Sequence, residues 1–401
     1  MQGSSAVLPP SCRLYALNPT QGSVHTPNTA LVCASPLTSL ANMPRLNFSE
    51  SVTMNLTLLR IPFFLIYVSL FGRWSKRANG RPLNRILNDE TAYFVLAHLS
   101  VRQLQAVSGS TFAGYVKWTK QRKISQVVDD LENDTRLMWV GPRETEHVVL
   151  YCHGGGFVGP LSDFQVEFWY RMQQTLLKSS GMKLGVALLQ YSTYPASFPT
   201  QLNQLLSAVQ HIMSMGVPAS KICFAGDSAG GNVVLQLVGH ILHPSSLVAP
   251  QSPSPTQLSG FAGICLISPW TLPADVREVD DSFDLVPSNC LGLWRDTYLS
   301  TMPESHYPYV EPDVASQGWF DGLENIARRI LITAGRNEVL CASIIRLSTA
   351  MEKAHRDVRL DVQDGGVHCD AMFDIGAKST TPHPVEKRVA DWLTETFKLF
   401  V

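Results

Sequence analysis

The sequence predicts an α/β protein built on a mainly parallel, doubly wound sheet, and three observations carry that expectation. From residue 136 onward, short apolar runs of strand character alternate with longer stretches of helical periodicity. At residues 222–241 one such run (Ile222, Cys223, Phe224, Ala225) meets Gly226-Asp-Ser228-Ala-Gly230 and passes directly into apolar residues at helical spacing. With 401 residues, 45% of them hydrophobic and 16% charged, the chain can bury a large sheet.

Taken in order, residues 1–52 are rich in Ser, Pro, Thr and Asn without periodicity and are expected to be a disordered leader. Residues 53–88 hold the most apolar stretch, LTLLRIPFFLIYVSLF at 56–71, which Arg60 and Pro62 interrupt and Arg73, Lys76, Arg77 and Arg81 follow. Its uninterrupted part, residues 61–72, falls short of the roughly 20 residues of a spanning helix. An interfacial membrane anchor and a cap helix packed on the protein's own core are therefore the two expectations. Residues 89–401 are the expected catalytic domain. It opens with a helical N-terminal cap at 89–132 and continues with strand candidates at 136–139, 148–152, 184–189, 222–225, 261–267, 330–333 and 358–362. Its clearest helices are at 201–215 and 339–355, and the weakly periodic, aromatic stretch 270–321 is expected to be a lid-like insertion.

Thirty-two Lys and Arg against 33 Asp and Glu leave a net charge of −1 and no electrostatic footprint for nucleic acid, which is not an expected partner. The apolar composition suits a lipophilic substrate or a membrane-adjacent site, and equally a large buried sheet. Eight cysteines are scattered without C-x-x-C spacing, and Cys152, Cys223 and Cys265 lie in strand-like runs where a free thiol behaves as a small hydrophobe. Neither a metal nor a cofactor is expected. Cytoplasmic and endoplasmic-reticulum membrane locations both stay open, as does the oligomeric state.

A G-x-S-x-G between a strand and a helix is a sharp turn whose glycines let the serine hydroxyl stand above the sheet edge, as a nucleophile must. Alone, the pentapeptide would arise by chance in about one of seven chains of this length, so the partners have to support it. Upstream, the strand at 148–152 runs into His153-Gly-Gly-Gly156-Phe157. Glycines there let the amides of Gly154, Gly155 and Gly156 approach a substrate oxygen, and Ala229, next to the serine, adds another N–H. His153 is read as a loop-fixing residue, since it sits on the oxyanion side. Downstream, the strand at 330–333 leads to a loop carrying Glu338, and the strand at 358–362 to a glycine-containing loop carrying His368. Ser228, Glu338 and His368 are thus the expected nucleophile, acid and base. Asp364 and Asp370 are rival acids too near His368 in sequence to leave a separate strand end, and Asp227 is read as steadying the serine turn. His240 and His243, three apart on one helix, are read as ordinary helix residues.

HGGGF at 153–157, GDSAGG at 226–231, GRNEVL at 335–340 and GGVH at 365–368 resemble the hormone-sensitive-lipase-like branch of the α/β-hydrolase carboxylesterases. LMWVGP at 137–142, GDSAGGN followed by an HP dipeptide at 243–244, and LISPW at 266–270 are similar to fungal steryl-acetyl-hydrolase-like enzymes and their relatives in secondary-metabolite gene clusters. The resemblance covers about residues 89–401. It implies an α/β-hydrolase fold with a cap over the pocket, Ser228, Glu338 and His368 as a triad in the chain order of that fold, and an oxyanion hole from Gly154, Gly155, Gly156 and Ala229. The activity it implies is that of a serine esterase working through an acyl-enzyme on a small lipophilic ester. The acyl group would be short, such as acetyl, and the alcohol sterol-like or a secondary metabolite. Two alternatives stand beside it: a non-hydrolytic step (cyclisation, elimination or acyl transfer) in the same pocket, and a non-enzymatic ligand receptor, which the presence of His368 disfavours. Two departures are notable. Glu338 stands where many members have Asp, and QYSTYPA at 190–196 replaces the familiar D-Y-R-x-x-P-E.

Overall fold

Strands that are apolar at every position, rather than at alternate ones, are stable only in a sheet covered on both faces. The computed structural model, which describes residues 45–249 and 253–398, has such a sheet at its centre. In chain order the elements are α1 (Phe48–Phe71), α2 (Leu83–His98), α3 (Val101–Ser108), α4 (Thr111–Arg122), β1 (Val127–Asp130), β2 (Arg136–Trp139), β3 (Val148–Cys152), α5 (Asp163–Ser180), β4 (Gly185–Gln190), α6 (Thr200–Ser214), β5 (Ile222–Asp227), α7 (Ala229–Leu242), β6 (Gly263–Ile267), α8 (Ser288–Leu299), α9 (Leu323–Ile326), β7 (Ile330–Gly335), α10 (Cys341–Glu352), β8 (Val358–Gln363), α11 (Asp370–Gly376) and α12 (Pro384–Lys398).

The eight strands run in the order β1-β2-β4-β3-β5-β6-β7-β8, antiparallel from β1 to β4 and parallel thereafter. Alternate residues of β3 feed two cores. Leu150 and Cys152 join Leu205 of α6, Val234 of α7 and Ile344 of α10 on one face. Val149 and Tyr151 join Trp169 of α5 and Val389 and Trp392 of α12 on the other. The parallel arrangement brings the C-terminal ends of β3, β5, β7 and β8, and the loops that leave them, to one edge.

Two expectations need correction. Residues 127–130, placed above in a helical cap, form β1, which pairs antiparallel with β2 (Val127 opposite Trp139). The β-branched pair Val127 and Val128 favours an extended chain, and the Tyr115 hydroxyl accepts the Val127 amide at 2.9 Å, so the sheet captures the segment. The cap helices begin earlier, at Leu83. The second correction concerns α1, which runs unbroken through Pro62 for 24 residues. A proline removes one backbone bond and bends a helix, yet it need not end one that extends well beyond it on both sides. At 1.5 Å per residue α1 reaches about 36 Å, long and apolar enough to cross a membrane. One side packs on the cap: Val68 is buried, Phe64 stacks on Phe94 of α2 at 4.7 Å, and Gln103 of α3 donates to the Glu50 carbonyl at 2.8 Å. The rest is open, with Phe63 76% and Leu59 66% exposed. The leader expected over residues 1–52 lies outside the described residues as far as residue 44, and its last residues, 48–52, instead form the start of α1, which Asn47 and Glu50 cap.

Charge fastens the cap to the sheet domain. Arg85 of α2, fully buried, donates from Nε to Asp89 at 2.6 Å, from Nη2 to the Asp370 carboxylate at 2.7 Å and from Nη1 to the Asp370 carbonyl at 3.0 Å, and it also pairs with Asp374. Arg81 bridges Asp89 and Asp370 and reaches the Gly365 carbonyl. Breaking such a cluster from one side leaves its carboxylates buried without their cation. Arg85→Leu is therefore expected to cost about 3–5 kcal/mol in urea unfolding followed by tryptophan fluorescence. A loss below about 1 kcal/mol, the range of exposed ion pairs, would show that the cluster does not hold the cap.

Candidate active site

The turn after β5 sets the site. Ser228 has φ 49° and ψ −120°, a strained conformation for a non-glycine residue. The chain can make this turn only because the residues two positions away on either side are glycines: a Cβ on Gly230 would lie 2.0 Å from the Cys152 carbonyl oxygen, and one on Gly226 would lie 2.4 Å from that of Gly230. The Ser228 amide donates to the Ile267 carbonyl at 3.0 Å, so β6 braces the turn from the side.

Asp227, buried beneath the serine, organises the glycine loop. It accepts the Gly154 amide at 2.7 Å, the Gln165 side-chain amide at 2.9 Å and the Tyr151 hydroxyl. This corrects the expectation for Gly154, whose N–H is committed to Asp227 and does not face a substrate oxygen. Among the described residues, the amides of Gly155, Gly156 and Ala229 have no protein acceptor. Gly155 and Gly156 take φ of +119° and +61°, and the Trp294 ring of α8 lies so close that a Cβ on Gly156 would meet it at 2.3 Å. His153 is buried, stacked on Tyr191 at 4.3 Å, with its Nδ1 at 2.7 Å from the Gly154 carbonyl. Burial pushes its pKa down to about 4, which keeps the ring neutral.

Glu338 and His368 meet from adjacent strand ends, with Glu338 Oε2 3.0 Å from His368 Nδ1. The other carboxylate oxygen accepts the Gly335 amide at 3.1 Å, and both side chains are buried. The extra methylene of Glu over Asp thus does not prevent contact with the ring. Burial disfavours the imidazolium of His368, but the neighbouring Cys369 thiol and Glu338 carboxylate outweigh it and raise the pKa well above the ordinary value. Glu338 sustains that rise near neutral pH, because burial pushes the Cys369 thiol itself up to about 12 and leaves it uncharged.

Of the rival acids, Asp364 is exposed and faces Arg336 at 3.4 Å, while Asp370 belongs to the Arg81 and Arg85 cluster. His240 accepts the Ser245 amide, and His243 stacks on Trp319 at 4.1 Å. Sequence reasoning passed over two buried groups beside the pair, Cys369 and Asp284. Cys369 follows the base directly and could have been flagged, whereas Asp284 lies in a weakly periodic stretch that carries no motif.

Ser228 and His368 line one cavity of about 530 Å³. Its walls are mainly apolar, with Val95, Leu96 and Leu104 from the cap and Val286, Leu291 and Trp294 from the segment over the sheet edge, while Lys117, Asp163 and Gln165 add polar groups. The sequence profile of the alpha/beta hydrolase fold family matches residues 149–372, more than half of the chain and all of the loops just described. The chain belongs to that family.

Within the family, the chain is similar to hormone-sensitive lipase. It is 33% identical to the human lipase over 106 residues (24% of this chain and 9% of that one), and 38% identical to the Bos taurus lipase over 93 residues (21% and 11%). The chain thus spans about a tenth of the length of the curated relatives it matches. Among solved structures, a hormone-sensitive lipase from a metagenome library superposes with a TM-score of 0.56 at 17% identity, covering 77% of this chain and 97% of that one. EstE5, soaked with p-nitrophenyl butyrate, gives 0.54 at 20% identity, covering 78% and 99%. At such identities the superpositions speak for the fold.

Proposed function

We propose that this protein is a serine hydrolase that cleaves a carboxylic ester, with Ser228 as nucleophile, His368 as general base and acid, and Glu338 as the group that orients and charge-balances the imidazole. The observation that carries the proposal is the buried Glu338 to His368 contact at 3.0 Å, opening onto the cavity that Ser228 shares. Ser228 Oγ attacks the ester carbonyl carbon while His368 takes its proton. The amides of Gly155, Gly156 and Ala229 stabilise the tetrahedral oxyanion, and His368 then returns the proton to the departing alcohol. Water, deprotonated by His368, releases the acid from the acyl-enzyme. Mainly apolar walls around about 530 Å³ suit a lipophilic alcohol of drug-like size. A short acyl group, and a sterol-like or secondary-metabolite alcohol, rest on the sequence resemblance alone.

Hydrolysis of p-nitrophenyl esters from acetate to octanoate is the test. Wild type is expected to turn over the short esters, and Ser228→Ala to lose at least about a thousandfold. Folded wild type that reacts with a fluorophosphonate but releases no nitrophenol would shift the reading to acyl transfer or cyclisation. The pH dependence has a fixed sign. A base must be neutral to act, so activity rises with pH, and the raised pKa of His368 sets the midpoint of that rise above the ordinary imidazole value of about 6.5. Glu338→Gln removes the anion, lowers the midpoint and costs about a hundredfold or more in kcat.

We also propose that α1 seats the protein on a membrane. Leu59, Phe63, Ile66 and Leu70 are exposed along it, Trp74 stands at its far end, and Arg73 and Lys76 lie where phosphates of the interface would be. The full chain is expected to float with phosphatidylcholine vesicles, and the variant with Ser at all four apolar positions to stay in the aqueous fraction. Equal partition of the two proteins would remove the proposal.

A further inference from the structure

Asp284, far in sequence from both Glu338 and His368, is completely buried in the segment between β6 and α8, yet among the described residues no Lys or Arg contacts its carboxylate. It accepts three backbone amides instead. Oδ1 takes the His368 amide at 3.0 Å and the Leu285 amide at 2.8 Å, and Oδ2 takes the Val339 amide at 2.9 Å. Val339 follows Glu338 directly. One carboxylate therefore joins the backbone of the acid's loop to the backbone of the base itself. The ordered position of Asp284 is set from the cap, since Arg77 donates to the Asp281 and Asp284 carbonyls at 3.3 Å each.

A buried carboxylate needs a reason, because burial disfavours its charge: here burial outweighs the neighbouring imidazole and the amides of Val339 and His368, which favour the charged form, and the pKa is raised to about 6. Glu338 lies close enough to oppose that charge. Two carboxylates beside one histidine are tolerable when the ring is positive, which is the state it passes through when Ser228 has given up its proton. On the esterase reading above, we propose that Asp284 is a positioning residue of the reaction: it locks the Glu338 and His368 loops in register and supplies a second negative charge for the transient imidazolium. The groups that act on the ring are then Glu338 at its Nδ1, Asp284 behind its backbone, Cys369 beside it, and Asp227 across the serine turn.

The test is Asp284→Asn, which keeps the shape, removes the charge and can satisfy only one of the two loop amides, since its NH₂ must face the other. With ¹⁵N-labelled histidine, the pKa of the His368 ring is read by NMR in both proteins, without reliance on turnover. The variant is expected to titrate about one unit or more lower. With p-nitrophenyl acetate, kcat should fall about ten- to a hundredfold while KM stays within about threefold, and the acid limb of the profile should move to lower pH. Asp284→Ala, which leaves room for a water, is a second variant should the first fold poorly by circular dichroism, and it is expected to lower the ring pKa in the same way. A folded variant with the wild-type ring pKa and kcat within twofold overturns the proposal. If wild type hydrolyses no ester, the esterase reading fails alone and the ring titration still decides the role of Asp284.

Discussion

Loops that leave a parallel sheet inside a covered site have no strand ladder to pair their amides, and an unpaired buried amide is expensive. In this protein buried carboxylates satisfy them. Asp227 takes the amide of Gly154, Glu338 that of Gly335, and Asp284 those of Val339 and His368. Asp227 fixes the loop after β3 against that after β5, Asp284 fixes the segment after β6 against the loops after β7 and β8, and Glu338 adds a contact from its loop to the His368 ring. The site is consequently tied together by acceptors, and among the described residues the amides of Gly155, Gly156 and Ala229 are left without a protein acceptor.

The same principle extends outward. Asp370, two residues beyond His368, carries the base loop to Arg81 and Arg85 of the cap, and Arg77 from the same segment grips the carbonyls around Asp284. The residues that follow α1 thus touch both segments that brace the base. α1 and His368 are linked here through one short basic stretch, so the residues around α2 wall the pocket and also brace the loop that carries His368.

The sheet was legible because its central strands β3 to β7 are apolar at nearly every residue, a pattern that suits strands covered on both faces. Ser228, His368 and Glu338 were legible because each follows a strand and each stands in a fixed chain order. The strand β1 was not, since four residues with two aspartates, Val127–Asp130, carry no periodicity and owe their conformation to the ladder with β2. The continuity of α1 was hidden by Pro62, whose effect depends on the length of helix around it. The engagement of Gly154 could not be read from its motif, because the acceptor, Asp227, comes 73 residues later. Asp284 left no local trace at all, for its partners are backbone atoms and backbone atoms look alike in every sequence.

On the proposed reaction, Ser228 carries the acyl group. Rapid acid quench of the wild-type protein with p-nitrophenyl acetate, followed by peptide mass spectrometry, tests it directly. The account predicts an acetyl group on the peptide containing Ser228, formed within the first turnover and absent from Ser228→Ala. Acetyl on Cys369, or steady turnover with no trapped adduct on Ser228, would contradict it.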